Sequence, residues 1–270
     1  MQRLGVIGWP VAHSRSPAMF RAAFRECALD DWSYQRLPLP AELFAETVRA
    51  LGASGFVGAN VTIPHKQAAL ALADSASEAA RAIGAANTLT FTDSGIAAEN
   101  TDAPGLIAAL GRSPAGMTAL VLGAGGSARA VVWGLLNAGA TRVSVWNRTP
   151  ERASALAREL GASAVSRPAS ADLLVNCTSV GLQRSASDEV ALNQLDLTAD
   201  LVGRYAYVID LVYRDGLTPL LAAARSHEVA IVGGLEVLVA QGALSFEHWT
   251  GRPAPLAAMR RGAGLQTHSG

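Results

Sequence analysis

The sequence predicts an α/β protein of two domains, the second built on a doubly wound parallel sheet. Three observations carry this. Short apolar, strand-like runs alternate with helix-length segments along most of the 270 residues, the order that builds parallel sheets with helices on their faces. The alternation restarts after "SPAG" (113–116), a turn-forming stretch and the best linker candidate. A glycine-rich loop then follows the first strand of the restarted pattern, where doubly wound folds hold a ligand.

In the first half, "LGVIG" (4–8) is a short apolar strand, and a helical pattern runs from Pro17 to about Ala28. "SYQRLPL" (33–39) reads as a strand and "AELFAETVRALG" (41–52) as a helix. "GFVGANVTI" (55–63) is a strand stopped by Pro64; proline suits a first helical turn, which predicts a helix over 64–73. "AANTLTF" and "GIAAEN" flank Thr92-Asp93-Ser94 as a hairpin, and a helix starts near Asp102. In the second half, "TALVLG" (118–123) is a buried strand followed by a helix from about Ser127 to Ala138. "RVSVW" (142–146) precedes a helix over 150–160, and "DLLVNCT" (172–178) and "YVIDLV" (207–212) are strands. A helix over 218–227, the strand "VAIVGG" (229–234) and a well-buried helix over 235–249 follow, with a tail after Gly251 that frays at its end.

Composition sets limits. Half of the residues are hydrophobic, enough for a large core. Basic and acidic residues both total 22, so no net charge favours non-specific binding to nucleic acid or an anionic membrane. No apolar run has the length of a bilayer span. The N-terminus "MQRLGVIGWPVAHS" meets Gly, Pro and His too early for a signal peptide. Cys27 and Cys177 stand far apart and suggest small buried apolar groups, not a disulfide framework or a zinc site. The expectation is a soluble cytoplasmic protein with no metal, no nucleic-acid partner and no membrane contact.

"LVLGAGGSARA" (120–130) is the most legible motif. Gly123, Gly125 and Gly126 sit between a predicted strand and helix, with Ala124, Ser127 and Ala128 completing a G-x-G-G-x-A run. The glycines permit a tight turn and close approach of the backbone to a pyrophosphate, whose charge faces the amides at the helix N-terminus. The surrounding strands and helix have the lengths of a Rossmann-type unit. An NAD site places Asp or Glu at the end of the second strand to hold the ribose 2′-hydroxyl. Here "WNRTPERA" (146–153) has Asn147 at that point, followed by Arg148, Thr149 and Arg152. Two guanidiniums four residues apart suit a 2′-phosphate, which points to NADP. The alternative for Arg152 is a solvated helix charge paired with Glu151 or another neighbour.

"ANVTIPHKQ" (59–67) contains Lys66, the only lysine among the 22 basic residues. Codon usage in an Ala- and Arg-rich chain is one explanation. The chemical one is that an ammonium can give up and regain a proton, whereas a guanidinium stays protonated. On that reading Lys66 is a candidate proton donor, just past a strand end where α/β ligands bind. Other polar residues collect in the same half. Ser14 and Ser16 in "HSRSP" (13–17) put two hydroxyls at a helix N-terminus, able to hold a carboxylate, though Ser16 before Pro17 also reads as a plain N-cap. Asn60 and Thr62, two apart on a strand, point to one face. Asn87 and Asp102 are either site residues or turn and capping residues.

Together these stretches resemble the shikimate dehydrogenases. The resemblance runs through nearly the whole chain, in "HSRSP", "NVTIPHK", "GAANT", "NTDAPG", the glycine loop, "NRT", "NCTSVG", "DLVY" and "LVAQGA", and rests on their order and spacing. It implies reduction of 3-dehydroshikimate to shikimate with NADPH, in the pathway to aromatic amino acids. It implies two α/β domains with a cleft between them. A substrate-binding and catalytic domain would span 1–103, with 236–270 returning to it, and a Rossmann-type NADP domain would span 104–235. Carried over by motif, Ser14 and Ser16 would bind the substrate carboxylate with Tyr213 nearby, while Asn60, Thr62, Asn87 and Gln241 would hold ring hydroxyls. Lys66 and Asp102 would be the catalytic pair, with Lys66 giving a proton to the oxygen on which charge develops. Thr178, Ser179, Val180, Leu211 and Gly234 would complete the cofactor site begun by the glycine loop. The expected assembly is a monomer or homodimer, whose domains hinge about the joining segments near 102–116 and 234–240.

Arg15, Asp215 and Glu236 depart from the family's usual residues, and Arg15 and Glu236 leave open the choice between shikimate and quinate. Two rival readings are a methylene-tetrahydrofolate dehydrogenase of similar build and a non-catalytic sensor of a shikimate-like ligand. Paired serines and several asparagines argue against a large pterin, and a sensor would have no need of the one lysine.

Overall fold

Strands and helices alternate through most of the computed structural model, which describes residues 1–183 and 185–265. The first half runs β1 (Gln2–Gly8), α1 (Ser16–Glu26), β2 (Trp32–Pro38), a 3-10 turn (Ala41–Leu43) into α2 (Phe44–Leu51), β3 (Phe56–Val61), α3 (Lys66–Leu72), β4 (Ser75–Ala76), α4 (Glu78–Ile83), β5 (Thr88–Thr92), β6 (Gly95–Glu99) and α5 (Asp102–Leu110). The second runs β7 (Thr118–Leu122), α6 (Gly126–Asn137), β8 (Arg142–Trp146), α7 (Pro150–Leu160), β9 (Ser163–Ala164), β10 (Leu173–Asn176), α8 (Asp188–Asn193), α9 (Ala199–Val202), β11 (Tyr207–Asp210), α10 (Pro219–Ser226), β12 (Ala230–Gly233), α11 (Gly234–Thr250) and α12 (Leu256–Ala263). The chain forms two compact units: Met1–Gly105 with the residues from Leu238 onward, and Leu106–Val237. Residues 113–116, the linker candidate, form a turn inside the second unit; the chain passes between units within α5 and again within α11.

The first unit holds a sheet of order β2-β1-β3-β5-β6-β4. β1 pairs parallel with β2 and β3, but β5 runs antiparallel to both β3 and β6. The sheet is therefore mixed: the parallel order expected from the alternation holds for β1, β2 and β3, and the expected hairpin adds the antiparallel strands. β5 and β6 form a hairpin about Asp93-Ser94, with Thr92 opposite Gly95, and a tight turn can only join antiparallel strands. Alternate residues of a strand serve opposite faces. Leu4 and Val6 of β1 cluster with Met19, Phe20 and Phe24 of α1, Phe246 of α11 and Met259 of α12. Ile7 clusters with Phe44, Val48 and Leu51 of α2.

The second unit holds a sheet of order β12-β11-β10-β7-β8-β9, parallel throughout. The chain enters at β7 in the middle, builds outward to β9, returns beside β7 with β10, and builds outward the other way. That reversal makes a topological switch point, with a ligand crevice expected at the strand ends. Val121 and Val175 pack with Val131, Val132 and Leu135 of α6 and Leu156 of α7. Leu120, Leu122 and Leu174 pack with Leu220 and Leu221 of α10.

Helix and strand limits differ from the sequence reading in a few places. Pro64 does not begin a helix; it lies in a turn after a cis peptide bond, and α3 starts at Lys66. The two-residue strands β4 and β9 and the short helices α4, α8, α9 and α12 are too brief for periodicity to reveal. α12 occupies part of the tail after Gly251, and the tail's end, from 266, lies outside the described residues. No helix among the described residues is long and apolar enough to cross a membrane.

Candidate active site

In the first unit, Lys66 Nζ donates to Asp102 Oδ2 at 2.5 Å. Their side chains are only 9% and 16% exposed, which puts the ion pair largely out of water and strengthens its attraction. Asp102 Oδ1 accepts from Asn87 Nδ2 at 3.0 Å. Asn87 also donates toward Thr101 Oγ1 at 2.9 Å and Gln241 Oε1 at 3.1 Å, and its Oδ1 accepts from the Thr101 amide at 2.7 Å. Gln241 in turn donates to the Leu238 carbonyl at 2.9 Å. One hydrogen-bonded wall thus joins the start of α3, the loop before β5, the start of α5 and one face of α11.

The local sequence explains how these groups are presented. Asn100 Oδ1 accepts from the amides of Asp102 and Ala103, at 3.1 and 3.3 Å, so Asn100 does the capping at the start of α5. Asp102 is therefore not the N-cap, and its carboxylate is left for Lys66 and Asn87. Gly105 lies one turn further along α5, where a Cβ would come within 2.7 Å of the Gln241 Cβ; only glycine lets α11 approach so closely here. Gln241 and Ser245, four apart, share one face of α11. Ser245 Oγ donates to the Gln241 carbonyl at 3.1 Å and accepts from Asn60 Nδ2 at 3.0 Å.

Ser14 and Ser16 lie at the start of α1. Ser16 is the first helical residue, not its N-cap, and its amide donates to Ser14 Oγ at 3.3 Å. Arg36 of β2 grips the same loop, donating through Nε and Nη2 to the Ser14 carbonyl at 3.2 and 2.8 Å. Burial, and then the Arg36 charge, hold the neighbouring His13 below the usual histidine pKa.

In the second unit, Gly123 follows β7 with φ +108°, a conformation that side-chain-bearing residues rarely adopt, and its amide donates to the Trp146 carbonyl at 2.8 Å. Gly125 is the N-cap of α6 with no side-chain cap, and a Cβ there would meet nothing within 4 Å. An open cradle before uncapped helix amides fits a pyrophosphate. Ala124 precedes it, Gly126 and Ser127 open α6, and Ala128 is fully buried against the sheet. Asn147 Nδ2 donates to the Thr149 carbonyl at 2.9 Å, closing the turn that presents Arg148. Arg148, Thr149 and Arg152 are exposed. Among the described residues neither guanidinium pairs with Glu151 or any other acid, so both are open to a phosphate.

Beyond β10, Asn176 Oδ1 accepts from the Thr178 amide and hydroxyl at 3.0 and 2.8 Å, and Thr178 Oγ1 accepts from the Val180 amide at 3.1 Å. These bonds set the Thr178-Ser179-Val180 turn. Leu211 follows β11, and Gly234 lies against it: a Cβ on Gly234 would sit 2.5 Å from the Leu211 carbonyl oxygen. At the end of β11, burial pushes the Asp210 carboxyl up to about 6 despite hydrogen bonds from Thr218, Val212 and Asn176 that pull it down.

Three family models match successive stretches of the chain: the shikimate dehydrogenase substrate binding domain over 6–89, shikimate / quinate 5-dehydrogenase over 108–210, and the shikimate 5′-dehydrogenase C-terminal domain over 234–261. The chain is 45% identical over 256 residues to the shikimate dehydrogenase (NADP(+)) of Acidiphilium cryptum, covering 92% of this chain and 90% of that protein. The chain belongs to the shikimate dehydrogenase family. The shikimate dehydrogenase (NADP(+)) of Methylobacterium radiotolerans is 46% identical over 269 residues, covering 94% of this chain and 92% of that protein. The crystal structure of the Thermus thermophilus shikimate 5-dehydrogenase, in complex with NADP(H) and shikimate, superposes with a TM-score of 0.86 at 41% identity, covering 98% of this chain and 99% of that one.

Against the family pattern, the structure joins Lys66, Asp102, Asn87, Gln241 and Asn60 in one network, with Ser14 and Thr62 on the loops after β1 and β3 and Ser16 at the start of α1. Tyr213 belongs to the second unit. Asn60, expected to hold a ring hydroxyl, has protein partners for its whole side chain. Its Oδ1 accepts from Tyr34 at 2.8 Å, and its Nδ2 donates toward the Asn87 carbonyl, Thr88 and Ser245. In register between Val6 and Thr88, mid-sheet, it forms the floor of the site. Sequence reasoning does not find Asn100, Thr101, Ser245 or Arg36. Ser245 had a signal, standing four residues after Gln241 and so on the same face of the helix.

Proposed function

We propose that this chain catalyses the reversible, NADPH-dependent reduction of 3-dehydroshikimate to shikimate, with Lys66 as proton donor and Asp102 as its partner. The observation that carries this reading is the 2.5 Å Lys66–Asp102 contact, set in a wall of amides and hydroxyls. The first unit is the substrate-binding and catalytic domain, and the second the Rossmann-type NADP domain. Ser14 and Ser16 take the substrate carboxylate, and Tyr213 is a further substrate-binding residue. Thr62, Asn87 and Gln241 take ring hydroxyls, and Asn60 supports Asn87 from below.

NADPH, when bound, supplies the hydride for the ketone carbon. Lys66 gives a proton to the carbonyl oxygen as negative charge develops there, and takes it back in the reverse direction. Asp102 holds the ammonium through Oδ2 while Asn87 holds Asp102 through Oδ1. The cofactor is held by Gly123 to Ala128 at its pyrophosphate and by Asn147, Arg148, Thr149 and Arg152 at its 2′-phosphate. Thr178, Ser179, Val180, Leu211 and Gly234 hold its nicotinamide half. The enzyme works in the cytoplasm as a monomer or homodimer.

The test is NADP+ reduction by the purified protein with shikimate, then with quinate. Turnover with shikimate supports the reading. Turnover with quinate alone, or with neither, overturns it.

A further inference from the structure

β11 ends in a carboxylate without solvent contact. Asp210 is 0% exposed, and its partners are neutral donors. Its Oδ1 accepts from Asn176 Nδ2 at 2.9 Å and from the Val212 amide at 3.0 Å, and its Oδ2 accepts from the Thr218 hydroxyl at 2.6 Å. Taking a carboxylate out of water is costly, and an apolar residue would suit a buried strand end better for stability alone.

What the carboxylate does is visible in where its partners lie. Asn176 closes β10, Val212 follows β11, and Thr218 caps α10. Asn176 is the residue whose Oδ1 orders the Thr178–Val180 turn; its Nδ2 is aimed by Asp210 and, at 3.3 Å, by the Val180 carbonyl. Val212 is next to Leu211. Thr218 lies under the turn's continuation, 3.5 Å from where a Cβ on Gly181 would sit. A carboxylate is the side chain that accepts on both oxygens and donates on neither, which these three donors require. The glycine loop and the Arg148 turn, in the other half of the sheet, make no hydrogen bond to it.

We propose that Asp210 is a positioning residue that sets the nicotinamide half of the cofactor site. It holds the Thr178–Val180 and Leu211 segments in one arrangement without touching the cofactor itself. The assignment rests on the NADP reading above.

Calorimetric binding of NADP+ and of 2′,5′-ADP, which has the 2′-phosphate but no nicotinamide, separates the two halves of the site. Asp210→Ala should weaken NADP+ about tenfold or more, the scale of losing hydrogen bonds to a buried charged group, and leave 2′,5′-ADP unchanged. Asp210→Asn keeps one acceptor oxygen and should recover part of the loss, with KM for shikimate unmoved. Equal weakening of both ligands, or of neither, overturns the proposal. Should Asp210→Ala fail to fold, Thr218→Val removes one bond to the same carboxylate and should show a smaller loss, again for NADP+ alone; unchanged NADP+ affinity in that variant overturns it. A wild-type protein that binds no NADP+ overturns the cofactor reading and the role of Asp210 with it.

Discussion

Lys66 and Asp102 are each the first residue of a helix, and their side chains meet at 2.5 Å. The start of α5 favours the carboxylate, whereas the start of α3 disfavours the ammonium it carries. Asp102 therefore supplies what the Lys66 helix terminus withholds. Lys66→Ala should lower kcat by about a hundredfold or more, the scale of losing an acid–base group, with NADP+ affinity unchanged. Near-full turnover would sink the proton-donor role. Lys66→Arg keeps the charge; recovery of most activity would mean that electrostatics, not proton transfer, is the main contribution.

Asn60 and Thr62 should respond differently to substitution. Asn60→Ala removes the buried hydrogen bonds to Tyr34, the Asn87 carbonyl, Thr88 and Ser245, each worth about 1 kcal/mol, so the melting temperature should fall clearly. Thr62→Val should raise KM for shikimate with stability little changed. Thermal melts and steady-state kinetics on both variants check this; a stable Asn60→Ala with raised KM would make Asn60 a direct ligand.

Replacing Arg148 by alanine should weaken NADP+ roughly ten- to a hundredfold, the value of one or two charge-assisted hydrogen bonds, and leave NAD+ unaffected. Equal loss for both cofactors in a fluorescence titration would show that Arg148 supports its loop and does not read the phosphate.

Asp210 should leave a mark on the pH dependence of stability. Its folded carboxyl sits near 6, above the ordinary 3.8, so between those values the folded chain holds the proton more firmly than the unfolded chain does. The contribution of this group is therefore most favourable at low pH and is lost as pH rises through about 6. Asp210→Asn removes the charge, so its stability relative to the wild type should improve between about pH 4 and pH 7. Chemical denaturation across that range reads the difference, and a flat or falling trend would contradict the shift.

Much of this was legible in the chain. Lys66 stands out because it has no other lysine beside it, and the glycine loop because strand, loop and helix follow in the right order. The rest depends on contacts that sequence distance hides. Asn60 meets Ser245 across 185 positions, and no local pattern announces that its amide is already satisfied. Asn100 and Asp102 are both good capping residues, and only the fold shows that the first takes the amides and frees the second. β5 and β6 read correctly as a hairpin, but their insertion beside β3 is a matter of sheet packing that hairpin chemistry does not determine. Asp210, an acid ending the apolar run "YVID", was a signal that the sequence offers and periodicity passes over.

The first unit is assembled from both ends of the chain, and synthesis on the ribosome delivers those ends far apart in time. The second unit is one uninterrupted stretch, Leu106–Val237, and can complete itself as it emerges. The first must wait: Met19 and Phe20 have no Phe246 or Met259 to cover them until the closing helices are made. A chain cut short after Val237 would carry a finished cofactor half and an unfinished partner with an apolar face bare. Such a fragment should be met by chaperones and proteases as a misfolded protein, not as a slow enzyme.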